Sequence, residues 1–229
     1  MKNFLGKWTR FELIFLICSE IIITVCFVFG ADKNLFSYIV SVVGVISMLM
    51  VAKGLTIAPI INVAYCVIYS VLSISQKYYG EAIVGIGLMI PIYVVSIVSW
   101  IKNRNKEHEE LVSVNKISRK EYLILAITTV FVTIGFYYLL KVLNTGELVV
   151  STLSLITSAV ASYLMLRRCS YYALGFIAND FILITLWSLA VSKSGFGFLP
   201  NVICFCVFLI NDIYGFIHWK REEKRQAKS

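Results

Sequence analysis

The chain has no G-x-x-x-x-G-K-[ST] loop, no H-E-x-x-H and no G-x-S-x-G. It therefore lacks the amide cradle that holds a nucleoside triphosphate, the paired imidazoles of a zinc hydrolase and the serine elbow of an esterase. Histidines are limited to His108 and His218, and the cysteines Cys18, Cys26, Cys66, Cys169, Cys204 and Cys206 sit in or beside apolar runs without a C-x-x-C pair. Such thiols read as small packing groups, and no cofactor, no metal and no catalytic residue is expected. Asp180 and Asp212 could be imagined as an aspartyl pair, but no recognisable motif surrounds them. Acidic residues number 13 against 21 basic ones, a net charge of +8. That excess does not point to nucleic acid, because the cations are spread along the ends of apolar runs, where they set orientation in a membrane.

What the chain has in abundance is hydrophobic length. Apolar residues make up 59% of the sequence and the mean hydropathy is +0.83, above the range of a soluble domain. The apolar runs cover about 11–30, 35–52, 55–75, 82–101, 121–143, 148–166, 172–192 and 197–219. At ~1.5 Å per residue each spans a ~30 Å hydrocarbon core. If the connectors are assigned alternately to two sides, 17 of the 21 basic residues fall on the side that holds both ends, Lys2, Lys7 and Lys228 among them. Only Lys33, Lys77, Lys141 and Lys193 fall on the other. Positive loops stay inside, so the expectation is an all-α, eight-span protein of the cytoplasmic membrane with both termini cytoplasmic. The first run is too long for a signal peptide and lacks a small-x-small cleavage site, so it reads as a retained helix.

The connector 102–120 divides the chain. Before it lie a lone helix and three spans, and after it a lone helix and three more. Leu49-Met50 before Lys53 matches Leu164-Met165 before Arg167-Arg168. The outer turn Tyr78-Tyr79-Gly80 matches Lys193-Ser194-Gly195, and Trp100-Ile101-Lys102 matches Trp219-Lys220. The segments expected are an extra N-terminal helix (1–34), a first three-helix repeat (35–101), an inner loop with a linker helix (102–147), a second repeat (148–219) and a basic tail (220–229). This is a 3+1+3 parallel-repeat core, a transporter plan that holds its substrate between the repeats.

Carboxylates within the spans are costly and ordinarily face a cavity or a partner. Glu12 lies close enough to a helix end to reach the interface, whereas Glu20 is deep in the first helix. Asp180 and Asp212 lie about 10–12 Å from the same membrane face on consecutive helices, each beside an amide, Asn179 and Asn211. Aromatics share their faces: Tyr172 with Asn179, Trp187 with Asp180, and Tyr214 with Asn211. In the first repeat Asn62, Tyr65 and Tyr69 show the same spacing. Rings interleaved with amides suit a flat, hydroxyl-rich ligand, although the same pattern also serves helix packing. Ser41, Gly44, Ser47, Ser151, Ser154, Ser158 and Ala161 allow close helix approach. Pro59, Pro91 and Pro200, each within a span, are expected to free backbone carbonyls.

Across about Ser47 to Arg221 the chain resembles the PnuC family of nicotinamide riboside transporters. The resemblance rests on Val51-Ala52-Lys53-Gly54, Asn62, Tyr69, Tyr79-Gly80-Glu81, Pro91 and Trp100. In the second half it rests on Leu153-Ser154, Leu164-Met165, Arg167-Arg168, Asn179-Asp180, Trp187, the run Phe208-Leu209-Ile210-Asn211-Asp212-Ile213-Tyr214-Gly215 and Trp219-Lys220. It implies a SWEET-like core, a homotrimer, and facilitated uptake of a nucleoside-like small molecule that a cytoplasmic kinase traps by phosphorylation. It also implies substrate-holding roles for Tyr172, Asn179, Asn211 and Tyr214. One departure stands out: where nicotinamide riboside members often show Trp-x-x-Trp, this chain has Tyr172-Ala173-Leu174-Gly175. That leaves another nucleoside or thiamine open as cargo. Proton-coupled uptake through Asp180 or Asp212, or a scaffold that transports nothing, are the competing expectations.

Overall fold

The computed structural model describes residues 8–30, 33–106 and 108–227, so Lys2, Lys7 and Lys228 lie outside the described residues. Among these, eight helices are long and apolar enough to cross a membrane. They are α1 (Arg10–Phe29), α2 (Leu35–Ala52), α3 (Ala58–Ser75), α4 (Tyr79–Lys102), α5 (Arg119–Val142), α6 (Leu148–Leu166), α7 (Tyr172–Ser194) and α8 (Phe196–Gln226). The protein is a multi-pass, all-α membrane protein.

Local chemistry sets the helix starts. Thr9 and Glu12 form a reciprocal capping box on α1, while Asn34 and Ser118 cap α2 and α5 with side-chain oxygens. The prolines behave differently from the expectation. Pro59 is the second residue of α3. Pro200 is the second residue of the regular α-helical part of α8, which begins at Leu199 after a 3-10 turn at Phe196–Phe198. In such first-turn places no amide hydrogen is needed, so neither frees a carbonyl. Pro91 lies well inside its span, two residues after a π-helical stretch at Val84–Met89. α8 runs past the apolar stretch to Gln226, supported by Lys220–Glu223 and Arg225–Glu222 pairs one turn apart.

Six helices close a ring. α2 packs on α3, α3 on α4, α4 on α6, α6 on α7, α7 on α8 and α8 back on α2. α1 lies outside against α2 and α8, and α5 lies outside against α6. α5 is the least buried span, with Leu123, Val130 and Phe131 mostly exposed. Its Glu121 carboxylate tethers it to α6, accepting from Arg167 at 2.6 and 3.1 Å and from the Tyr163 hydroxyl at 2.8 Å.

Both ends of the described chain and most of the basic residues lie at one end of the bundle, here the basic end. The loop between α4 and α5 lies across it, bonding to Gly54 and Thr56 after α2, to Arg168 after α6 and to Gln226 of α8. Glu12 does not reach the interface; it is buried, because the loop after α2 brings Lys53 within 2.8 Å of its carboxylate.

Candidate functional site

The ring encloses a cavity of ≈ 50 Å³ to which all six ring helices contribute. α3 supplies Tyr65 and Tyr69, α4 supplies Glu81, α7 supplies Asn179 and Asp180, and α8 supplies Asp212; Met48 of α2 and Ser158 of α6 complete the circuit. No lysine, arginine or histidine is among the described residues that line it. A larger hollow outside the ring, beside Ile74, Ile83, Ile86 and Leu143, is apolar apart from Tyr79 and offers nothing to orient a polar solute.

Both ends of the cavity are closed by rings. Toward the basic end, Tyr172 packs edge-on against Trp219 at 5.0 Å, and Trp219 meets Trp100 at 5.8 Å. All three are essentially buried, and their polar atoms are held by main chain: Trp219 Nε1 and the Tyr172 hydroxyl donate to the Val51 carbonyl, and Trp100 Nε1 donates to that of Met165. At the opposite end Trp187 packs against Tyr69, Tyr78 and Phe198. Its Nε1 donates to the Tyr69 hydroxyl at 3.1 Å, and that hydroxyl donates to Glu81 at 3.4 Å. Tyr78, in the turn before α4, donates to the Leu186 carbonyl; burial and the nearby Glu147 carboxylate push its phenol up to about 12. It stays a neutral donor at physiological pH.

The structure distributes the residues singled out from sequence unevenly. Tyr65, Tyr69, Asn179 and Asp180 line the cavity. Asn179 reaches it from α7 while its Oδ1 accepts from Ser154 at 3.1 Å and Thr157 at 2.9 Å on α6. Trp187 and Tyr172 belong to the two closures. Asn211 is buried at the α2–α8 contact, where its Nδ2 donates to the Met48 carbonyl, and Asn62 bonds back to Ala58 in its own helix. Tyr214 stands away from the cavity: its hydroxyl donates to Glu12 at 3.1 Å, and its ring packs on Phe11 and His218.

Two further carboxyl groups, Asp212 and Glu81, line the cavity. Asp212, paired with Asp180 by depth in the sequence, lines it together with that residue. Glu81 reads from sequence as part of an outer turn; because α4 starts at Tyr79, it is instead carried inward and buried. Gly85 is needed beside it, since a Cβ there would collide with Ser70 Oγ across the α3–α4 contact.

The Gly175 departure has a packing cause. A Cβ at Gly175 would stand 2.8 Å from the Ala161 Cβ and 3.0 Å from its Cα, so no larger side chain fits between α6 and α7. The aromatic floor is supplied by Tyr172, Trp100 and Trp219 instead.

A closed helical ring around a small chamber whose aromatic and aliphatic walls carry carboxyl and amide groups, flanked by buried rings toward either end, is the build of a carrier for a small solute. The chain belongs to the family described as nicotinamide mononucleotide transporter, whose model matches residues 34–221; it is a transporter and not an enzyme. It is 28% identical to the nicotinamide riboside transporter PnuC of Neisseria mucosa, covering 99% of this chain and 87% of that protein. A crystal structure described as the vitamin B3 transporter PnuC superposes with a TM-score of 0.84 at 26% identity, covering 96% of this chain and 94% of that one.

Proposed function

We propose that this transporter carries nicotinamide riboside, or a closely related ribosylated vitamin precursor, by facilitated passage. The carrying observation is the chemistry of the chamber: tyrosine rings, an asparagine and three carboxyl groups, with no described basic residue. The family description names a mononucleotide and the Neisseria relative a riboside. A phosphate would need cationic or amide partners in so dry a place, and Glu81, Asp180 and Asp212 would repel it. A riboside carries no phosphate, and its pyridinium ring is a flat cation that aromatic faces and carboxyls both favour. Two hydroxyls already occupy the Asn179 carbonyl oxygen, so its amide nitrogen is the group left to meet a ribose or carboxamide oxygen.

A chamber of ≈ 50 Å³ holds a few waters, whereas ligand sites run to ~300 Å³ or more. The described conformation is closed, and passage requires the walls to part. In our reading the units 35–101 and 148–219 are parallel repeats that rock about the chamber, with 102–147 linking them and 1–34 outside. The basic end faces the cytoplasm, three copies assemble, and a cytoplasmic kinase phosphorylates the arriving cargo. The exposed apolar face of α5 supports contact with lipid or sister copies.

Proteoliposomes containing the purified protein are expected to take up labelled nicotinamide riboside saturably, with no inhibition by excess nicotinamide mononucleotide. Flux equal to that of protein-free vesicles would overturn the proposal, and strong inhibition by the mononucleotide would overturn the assignment of the riboside.

A further inference from the structure

The α4 wall of the chamber holds a carboxyl group with one oxygen engaged and one idle. Glu81 is only 3% exposed and lines the void. Its Oε2 accepts from the Tyr69 hydroxyl at 3.4 Å, and that hydroxyl accepts from Trp187 Nε1 at 3.1 Å. An indole N–H can only donate, so the chain runs in one direction, from Trp187 through Tyr69 to Glu81. Tyr69 has a single hydroxyl hydrogen and spends it on Oε2, so it has none to offer a solute. Glu81 Oε1 is buried with no hydrogen-bond partner among the described residues. The neighbouring hydroxyl on α6 is committed elsewhere. A Cβ at Gly80 would stand 3.0 Å from the Ser151 Cβ, so the start of α4 packs against that turn of α6. Ser154, one turn further along the same face, gives its hydrogen to Asn179 Oδ1 at 3.1 Å.

A buried oxygen without a bond is costly, and its partner can arrive with the cargo. A hydroxyl both gives and takes hydrogen bonds, so it pairs with a carboxyl oxygen in either form and the contact needs no titration. The free amide nitrogen of Asn179 is a donor only, so it can meet an oxygen of the cargo but cannot receive a hydroxyl hydrogen. We propose that Glu81 is the residue that reads the sugar: its Oε1 accepts a hydrogen bond from a ribose hydroxyl, while the bond from Tyr69 fixes its other oxygen. This deepens the transport reading above and rests on it. A ligand that lacks the hydroxyl leaves Oε1 unpaired in a closed site, and such a site rejects the deoxy analogue more strongly than one that only loses a packing contact.

Calorimetric titration of the full-length protein in detergent, at one pH, compares nicotinamide riboside with its 2′-, 3′- and 5′-deoxy analogues. In the wild-type protein one analogue is expected to bind about tenfold more weakly than the parent. Glu81→Met keeps the length of the side chain and removes both oxygens. It should bind the parent about tenfold more weakly than wild type does, and that analogue no more weakly than the parent. Asp180 Oδ2 is the other unpartnered carboxyl oxygen on the chamber, and Asp180→Asn should leave the tenfold ratio in place.

Equal wild-type affinity for the parent and all three analogues overturns the proposal and leaves the transport reading intact. No binding of nicotinamide riboside by folded wild-type protein overturns both. A ratio that persists in folded Glu81→Met, or that disappears in Asp180→Asn instead, overturns the assignment to Glu81. The 3-acetylpyridine riboside keeps a carbonyl oxygen but lacks the amide N–H. If Glu81→Met abolishes discrimination against it in place of a deoxy analogue, the contact belongs to the carboxamide and the reading of the sugar fails. Should Glu81→Met not fold, Glu81→Asp withdraws the carboxyl by one methylene and is expected to cut the ratio at least threefold; an undiminished ratio there overturns the proposal.

Discussion

Trp100 and Trp219 meet with their ring centroids 5.8 Å apart, and each donates its indole N–H across a different seam of the ring. Trp100 of α4 reaches the Met165 carbonyl at the end of α6 at 3.3 Å, and Trp219 of α8 reaches the Val51 carbonyl at the end of α2 at 3.2 Å. The last span of each group of three is thus tied to the first span of the other. In the rocking motion proposed above, these are the contacts that give way when the basic end opens. An indole bond of this kind contributes about 1 kcal/mol, so Trp219→Phe should raise the open population about fivefold. Cys66 lines the chamber. In a variant retaining it as the sole cysteine, maleimide labelling of Cys66 should accelerate by that factor; an unchanged rate would place the opening elsewhere.

The buried pair of Lys53 and Glu12, with exposures of 6% and 1%, holds the outer helix α1 to the turn after α2. Removing one partner leaves a buried charge unmatched, which costs about 3–5 kcal/mol. Lys53→Met should therefore lower the thermal unfolding midpoint strongly. The double variant Lys53→Met with Glu12→Gln should recover most of the loss. Additive loss in the double variant would mean that the two residues act independently.

Gly175 and Ala161 define the closest approach of α6 to α7. Gly175→Ala should destabilise by about 1–3 kcal/mol through overpacking, and Ala161→Gly in the same chain should restore stability. Unfolding midpoints of the two single variants and the double variant measure this directly. Restoring an indole at position 175 is expected to prevent folding altogether.

Tyr69 accepts from Trp187 and donates to Glu81. Tyr69→Phe strands the buried indole N–H, at a cost of about 1–3 kcal/mol. Combining it with Trp187→Phe, which removes the donor, should regain much of the stability. Affinity for nicotinamide riboside should stay reduced in both, because the hydroxyl chain across the outer closure is gone. Equal loss of stability in the single and the double variant would show that the bond carries little.

The span count was legible because hydrocarbon tolerates no other solution: apolar runs long enough to cross, punctuated by Lys and Arg, leave little freedom. Asp180 was legible as a chamber group because a buried carboxylate needs a reason. Tyr214 shows where pattern reading stops. Its helical spacing from Asn211 gives a shared face, but which neighbour that face meets depends on α1, whose Glu12 turns inward to accept from it. Glu81 was hidden for the opposite reason, since a start of α4 only a few residues earlier than the apolar run converts a turn residue into a buried one. Pro59 and Pro200 look like breaks in the sequence because the apolar runs begin a few residues ahead of the regular helices at Ala58 and Leu199.

The π-helical stretch Val84–Met89 borders the chamber through Val84, Gly85 and Met89. Single π-helical turns of this kind are rare and recur at functional sites, and this one places three residues of one wall directly on the void. The wall of the chamber is therefore least regular on the α4 side, across from the regular helix that carries Asn179 and Asp180.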